Sequence, residues 1–221
     1  MLSCSMKGHH RKHNKDKAIL TMPMIMGQIT HESIEKYTND ENLALEHAKN
    51  ELLKYNCTDK ESKNVELMLK TYFKAFVPLL SEGDLLEQKF RFKFDSDVTI
   101  LGIWDRISEG DIVWDWKTTK TPPKSIDNNP QFIVYYQAYK EIFGKYPAAV
   151  FYGSLTKAKP IKFNPVKQNI SLLFDEIIPS LINKIRNEDF IHDGMVRYEY
   201  QCPNCIYKMF CFEALGKAYT E

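Results

Sequence analysis

No apolar run in this chain approaches the roughly 18 residues that a membrane-spanning helix needs. The N-terminal segment also lacks the apolar stretch and small-residue cleavage site of a secretory leader, so the expectation is a cytoplasmic protein with no membrane partner. Charge of one sign is not in excess, because 30 Lys and Arg stand against 29 Asp and Glu for a net +1. Such a balance is no nucleic-acid coat, yet it allows a basic groove offset elsewhere. The chain has no internal repeat, no long low-complexity linker and no G-x4-G-K-S/T phosphate loop, which leaves no sign of a nucleotide-driven motor. Cysteine is scarce and odd in number, at five. In a reducing compartment that argues against a disulfide framework and raises metal or cluster ligation instead.

What is present suffices for a folded domain: 221 residues, 43% hydrophobic and 13% aromatic, can bury a core of ordinary size. The stretch Gly102 to Lys117, GIWDRISEGDIVWDWK, reads as two half-apolar strands joined by the turn formers Ser108-Glu109-Gly110-Asp111. Folded about that turn, Asp105 and Asp115 fall nearly opposite each other. Lys117 shares a face with Asp115, while Trp114 and Trp116 point the other way, into packing.

Two adjacent carboxylates repel unless a cation sits between them, and hard oxygen ligands suit Mg²⁺ or Mn²⁺. A lysine beside such an ion can stabilise a developing phosphorane charge or orient an attacking water. The reaction class to test is therefore metal-assisted phosphodiester hydrolysis. On a solvated strand the same three residues would be no more than a surface ion pair, and from the hairpin alone that alternative stays open.

Met1 to Lys17 is basic and carries His9, His10 and His13, which reads as a solvated arm or a phosphate-touching segment. From Met22, MPMIMGQITHESIEKY reads as a helix with Gly27 and His31 four apart on one face. The glycine lets another backbone approach, and the imidazole one turn later is a candidate metal ligand. Glu41–Tyr55 and Ser62–Leu80 read as amphipathic scaffold helices, with Cys57 between them as a free thiol. Leu85–Phe94 reads as a strand with Glu87, Lys89, Arg91 and Lys93 on one side, completing a three-strand meander. Glu87 could join the acidic cluster or be a solvated strand residue, and it is left out of the metal set.

Pro122-Pro123 opens a loop, and Asn129–Phe143 reads as a helix with Gln131 and Tyr135 one turn apart, closed by Gly144. Ala148–Thr156 follows as a strand and Asn169–Asn187 as a long helix, giving an α/β fold. Near the C-terminus, QCPNCIYKMFC places Cys202, Cys205 and Cys211 at C-x2-C-x5-C spacing. Soft thiolates so spaced hold zinc or an iron–sulfur cluster, with Cys4 a better fourth ligand than Cys57.

The ordered set Gly27/His31, Gly102/Asp105, Asp115/Lys117 and Gln131/Tyr135, with one cysteine upstream and three downstream, resembles the RecB-like branch of the PD-(D/E)XK nucleases. The cysteines are similar to those of its iron–sulfur members, the AddB-type nuclease domains and the stand-alone CRISPR-adaptation nucleases. The resemblance implies a restriction-endonuclease-like core, a mixed β-sheet flanked by helices, in one domain over residues 1–221. That core would occupy about 22–195, with cluster-binding ends at 1–17 and 198–215.

It further implies that His31, Asp105, Asp115 and the Trp116 carbonyl ligate Mn²⁺ or Mg²⁺. Lys117 would be the catalytic lysine, and Gln131 and Tyr135 would position the scissile strand. Cys4, Cys202, Cys205 and Cys211 would hold a 4Fe–4S cluster stapling the chain ends. The expected activity is a DNA nuclease, an exonuclease on single-stranded DNA, in recombination, repair, CRISPR or phage DNA processing. Unwinding would come from a helicase or another recombination or CRISPR-adaptation partner. The competing expectation is a non-catalytic nucleic-acid-binding or assembly module with structural Zn²⁺ on the cysteines.

Overall fold

The structure, a computed structural model, describes residues 20–187. Met22–Leu173 forms one compact unit, and residues 174–187 belong to a second, described by itself below. The first unit opens with three helices: α1 (Met22–Lys36), α2 (Glu41–Leu52) and α3 (Asp59–Thr71). Asp40 caps α2 by accepting from the Leu43 amide, and Thr58 with Glu61 forms a reciprocal capping box that starts α3. The single helix expected over Ser62–Leu80 is instead α3 followed by a π turn (Tyr72–Phe76) and a 3₁₀ turn (Val77–Leu79). Pro78 lies in that last turn, where its missing N–H and its ring bar a regular helix. The helix expected to Tyr55 ends at Leu52.

A five-stranded sheet follows the chain order: β1 (Leu85–Lys93), β2 (Thr99–Ser108), β3 (Ile112–Lys117), β4 (Ala149–Ser154) and β5 (Lys159–Lys162). The first three strands are an antiparallel meander, β3 and β4 are parallel, and β4 and β5 are antiparallel. Between β3 and β4 runs α4 (Pro130–Phe143), the crossover that parallel neighbours require. Asn129 caps its start and Gly144 ends it in the left-handed conformation. The β2–β3 turn places Gly110 and Asp111 both at positive φ, and Asp111 is held by Tyr139 and Lys145, each at 2.6 Å. β5 was not expected, because KPIK is short, polar and interrupted by Pro160. A sheet edge tolerates those features.

Helices cover both faces of the sheet. Trp114 and Trp116 of β3 pack among Ile25, Ile29, Leu69, Tyr72 and Phe76 from α1, α3 and the turn after it. On the other face, Phe90 and Trp104 meet Tyr135 and Tyr139 of α4. Gly102 lies opposite Phe90, and a methyl group at Gly102 would stand 2.1 Å from that ring, so only glycine lets the aromatic cross the strand here.

Two residues apart on β2, Trp104 reaches α4 while Arg106 reaches Tyr72 on the opposite face. Regular alternation would put both on one side. The break sits at Asp105 and its neighbour Glu87. That pair is missing from an otherwise continuous β1–β2 ladder, and Glu87 adopts φ +43° in mid-strand.

The helix expected over Asn169–Asn187 is three pieces: α5 (Lys167–Ser171), a π turn (Leu172–Ile177) and α6 (Ile178–Arg186). Pro179 stands in the first turn of α6, where a missing N–H is harmless. The expected cluster ligands Cys4, Cys202, Cys205 and Cys211, and the histidines at 9, 10 and 13, lie outside the described residues.

Candidate metal centre

The β2–β3 ladder ends at Arg106 and Trp114, although both strands continue past that pair. A fork opens there. In it the Asp105 carboxylate accepts a hydrogen bond from the Trp116 amide at 2.6 Å, standing in for a backbone carbonyl of the missing ladder. Asp105 thus belongs to the backbone pairing of the sheet as well as to its polar face.

His31 reaches this fork from α1, with Nδ1 3.6 Å from Asp105 Oδ2. Gly27, one turn earlier, lies against Thr118 so closely that a methyl group there would meet its hydroxyl at 3.2 Å. A small residue at Gly27 lets α1 lie close to Thr118, on the same helix face as His31. Burial lowers the His31 pKa, while the Asp115 charge and a backbone group of Trp116 favour the protonated ring.

Glu87 completes the group. One ligand atom each from His31, Glu87 and Asp105 lie within 4.8 Å of one another. The left-handed φ of Glu87 costs a non-glycine residue about 1–2 kcal/mol and turns its carboxylate toward the fork. Burial and the charges of Asp105, Glu35 and Asp115 push the Glu87 carboxyl up to about 7. Sequence reasoning left Glu87 out, since alternation in a regular strand carries no sign of a local backbone reversal.

Asp115 stands beside this trio on β3, 2% exposed. Its Oδ1 accepts from Tyr135 Oη at 3.1 Å and from Gln131 Nε2 at 3.2 Å, and Gln131 also donates to the Tyr135 hydroxyl at 2.9 Å. Oδ2 carries the ion pair with Lys117 Nζ at 2.7 Å and is otherwise without a hydrogen-bond partner. Desolvation pushes both Asp105 and Asp115 up to about 6, with Asp105 repulsion adding to the shift at Asp115 and Lys117 opposing it at both. Burial, then the two aspartates, raises the Tyr135 phenol, which stays a neutral donor. Gln131 and Tyr135, expected to contact a scissile strand, both donate to the Asp115 carboxylate.

Three crowded carboxylates held above their ordinary pKa and a neutral imidazole form an oxygen-rich set with one lysine to answer it. The donor chemistry fits Mg²⁺ or Mn²⁺. His31, Glu87 and Asp105 are the residues that would hold such an ion, with Asp115 alongside.

The profile of the PD-(D/E)XK nuclease superfamily matches residues 4–212. The chain belongs to that superfamily. Among solved structures, a protein from Eubacterium rectale provisionally named an exonuclease, its crystal structure determined at 2.19 Å resolution, matches with a TM-score of 0.56 and 11% identity. The match covers 84% of this chain and 75% of that one. At that identity the likeness concerns the fold, a mixed sheet between helices of the restriction-endonuclease-like kind. No curated protein matches significantly. Nucleases of this superfamily use divalent metals, as the donor set at the fork suits. No helix among the described residues is long and apolar enough to cross a membrane.

Proposed function

We propose that this PD-(D/E)XK protein is a metal-dependent deoxyribonuclease that degrades single-stranded DNA from an end. The observation that carries the reading is the convergence of His31, Glu87 and Asp105 on one point, beside the buried Asp115–Lys117 pair. Bound there, Mg²⁺ or Mn²⁺ would supply Lewis acidity and a lowered pKa for the attacking water. Lys117 keeps its ammonium partly in solvent, tethered to Asp115, where it can meet the non-bridging oxygens of a phosphodiester and offset charge that develops on them. Gln131 and Tyr135 hold Oδ1 of the Asp115 carboxylate, which leaves Oδ2 to pair with Lys117.

The exonuclease name of the structural neighbour supports action from an end. Membership of the RecB-like iron–sulfur branch is supported by the C-x2-C-x5-C spacing and by a family match that reaches from Cys4 past Cys211. On this reading Cys4, Cys202, Cys205 and Cys211 hold a 4Fe–4S cluster. Anaerobic protein is then brown and contains iron, whereas a colourless, zinc-loaded protein would remove the cluster assignment.

The deciding experiment is degradation of end-labelled single-stranded DNA with Mn²⁺, run beside Lys117→Ala and a chelator. Cutting that falls about a thousandfold in the variant and disappears with the chelator is the expected result. A folded, metal-replete protein that cuts nothing would favour the non-catalytic binding module.

A further inference from the structure

The hairpin of β1 and β2 has one face against α4, and on the other no side chain of the described residues covers Lys89, Arg91, Lys93 or Leu101, which are exposed. The register pairs Lys89 with Ile103, Arg91 with Leu101 and Lys93 with Thr99 on that open face, and two residues further along each strand stand Glu87 and Asp105, the pair that the ladder skips at the fork. Lys89, Arg91 and Lys93 are exposed, and none has an ion-pair partner among the described residues. Leu101, 71% exposed, and Ile103, 39% exposed, lie beside them. Lone exposed leucines are ordinary, but two apolar side chains set directly across from cations that form no ion pair, with a third such cation next in line, are not an ordinary solvated strand face.

We propose that this face is a track for single-stranded DNA leading to the metal centre, with Lys89, Arg91 and Lys93 on successive phosphates and Ile103 and Leu101 against the bases. The inference rests on the nuclease reading above. Alternate strand residues repeat about every 6.6 Å, comparable to the separation of phosphates along a stretched single strand. Cations on β1 and apolar groups on β2 give the two-sided surface that an unpaired strand needs, one side for its backbone and one for its base faces. A duplex hides those faces and gains nothing from Leu101 and Ile103. The track ends at Glu87 and Asp105, where a bound cation would offset the carboxylate charge that otherwise repels phosphate.

The test compares the triple variant Lys89→Gln/Arg91→Gln/Lys93→Gln with a remote control, Lys49→Gln/Lys60→Gln/Lys63→Gln, on exposed positions of α2 and α3. Both are made on the Lys117→Ala background with Mn²⁺, so that labelled oligothymidylate is bound and not cut. The track variant should bind at least tenfold more weakly at low salt. Its slope of log affinity against log salt should be shallower by about 2, from three lost contacts at roughly 0.7 each. The control should match its parent, and melting curves should show the track variant folded.

Equal affinity and slope in track and control variants overturn the proposal, as does tighter binding of blunt duplex than of single strand. If instead the track variant loses binding while the otherwise unaltered protein cuts nothing with Mn²⁺, the track stands as a DNA-binding surface and the nuclease reading falls.

Discussion

Asp84 and the pair Asp105 and Asp115 are buried carboxylates at the same sheet, and they differ in what surrounds them. Asp84, just before β1, accepts from Arg106 Nε at 2.6 Å, Ser108 Oγ at 2.8 Å, the Glu109 amide at 3.1 Å and the Ser81 amide at 3.2 Å. Burial alone would raise its pKa, but these donors outweigh burial and hold the carboxyl below its ordinary value. Arg106 in turn donates to the Ser81 carbonyl and the Tyr72 hydroxyl. Each charge there is answered by the fold itself. At the fork, Glu87, Asp105 and Asp115 are left above their ordinary pKa with one lysine among them. A buried acid that the chain satisfies is architecture, and a cluster that it leaves short of positive charge is a candidate site for a cation.

The sharpest way to break that contrast is Asp84→Ala, which leaves the Arg106 guanidinium buried and unpaired. Denaturant unfolding should show a loss of about 3–5 kcal/mol, and a loss under about 1 kcal/mol would mean the network is not structural. Asp105→Asn should act in the opposite direction on metal-free protein. It keeps an acceptor for the Trp116 amide and removes a charge whose pKa is raised by about two units, so it should stabilise by up to about 2–3 kcal/mol at pH 7.5. The same variant should lose Mn²⁺ binding by calorimetry. Destabilisation by Asp105→Asn would contradict the charge-starved reading.

The pH dependence sharpens the point further. Glu87, Asp105 and Asp115 have folded pKa values of about 7, 6 and 6, above the roughly 4 of an unfolded carboxyl. A raised folded pKa means that the native state binds the proton more tightly. The stability they contribute is therefore complete below about pH 4 and is lost as pH rises through 6 and 7. His31, with its lowered pKa, opposes this trend below about pH 6.5, one group against three. Asp84 yields only at much lower pH. Thermal melts of metal-free protein should accordingly rise between pH 8 and pH 5.5, whereas with saturating Mn²⁺ the trend should flatten or reverse, because the ion competes with protons. Identical profiles with and without metal would count against the centre.

The smallest effect is expected at Glu87. At pH 5.5, where the Glu87 carboxyl is already protonated and its charge does not enter, Glu87→Gly removes only the strain of φ +43° and should stabilise the metal-free protein by about 1 kcal/mol, and at neutral pH it should weaken Mn²⁺ binding. A variant that binds Mn²⁺ as tightly as its parent would exclude Glu87 from the ligand set.

Much of the scaffold was legible in local pattern. The helix after Met22, the turn at Ser108–Asp111, the partition of Trp114 and Trp116 from Asp115 and Lys117, and the Gly144 cap all follow from periodicity and turn chemistry. The spacing of Gly27 and His31 pointed to close approach, and the structure supplies Thr118 as what approaches. Helix boundaries near Pro78 and Pro179 were misread because apolar spacing continues through a π turn while its hydrogen bonds do not.

The sequence by itself determined residue chemistry and local conformation: which segments coil or extend, and that acids, an imidazole and a lysine recur along the chain. Only the tertiary structure decided that β4 lies parallel to β3, that Gln131 and Tyr135 grip Asp115, and that Glu87 turns into the fork while Asp84 is neutralised elsewhere. The physical reason is that local pattern records which face a residue prefers. A carboxylate's charge state is set instead by the donors and charges that distant segments bring within a few ångströms.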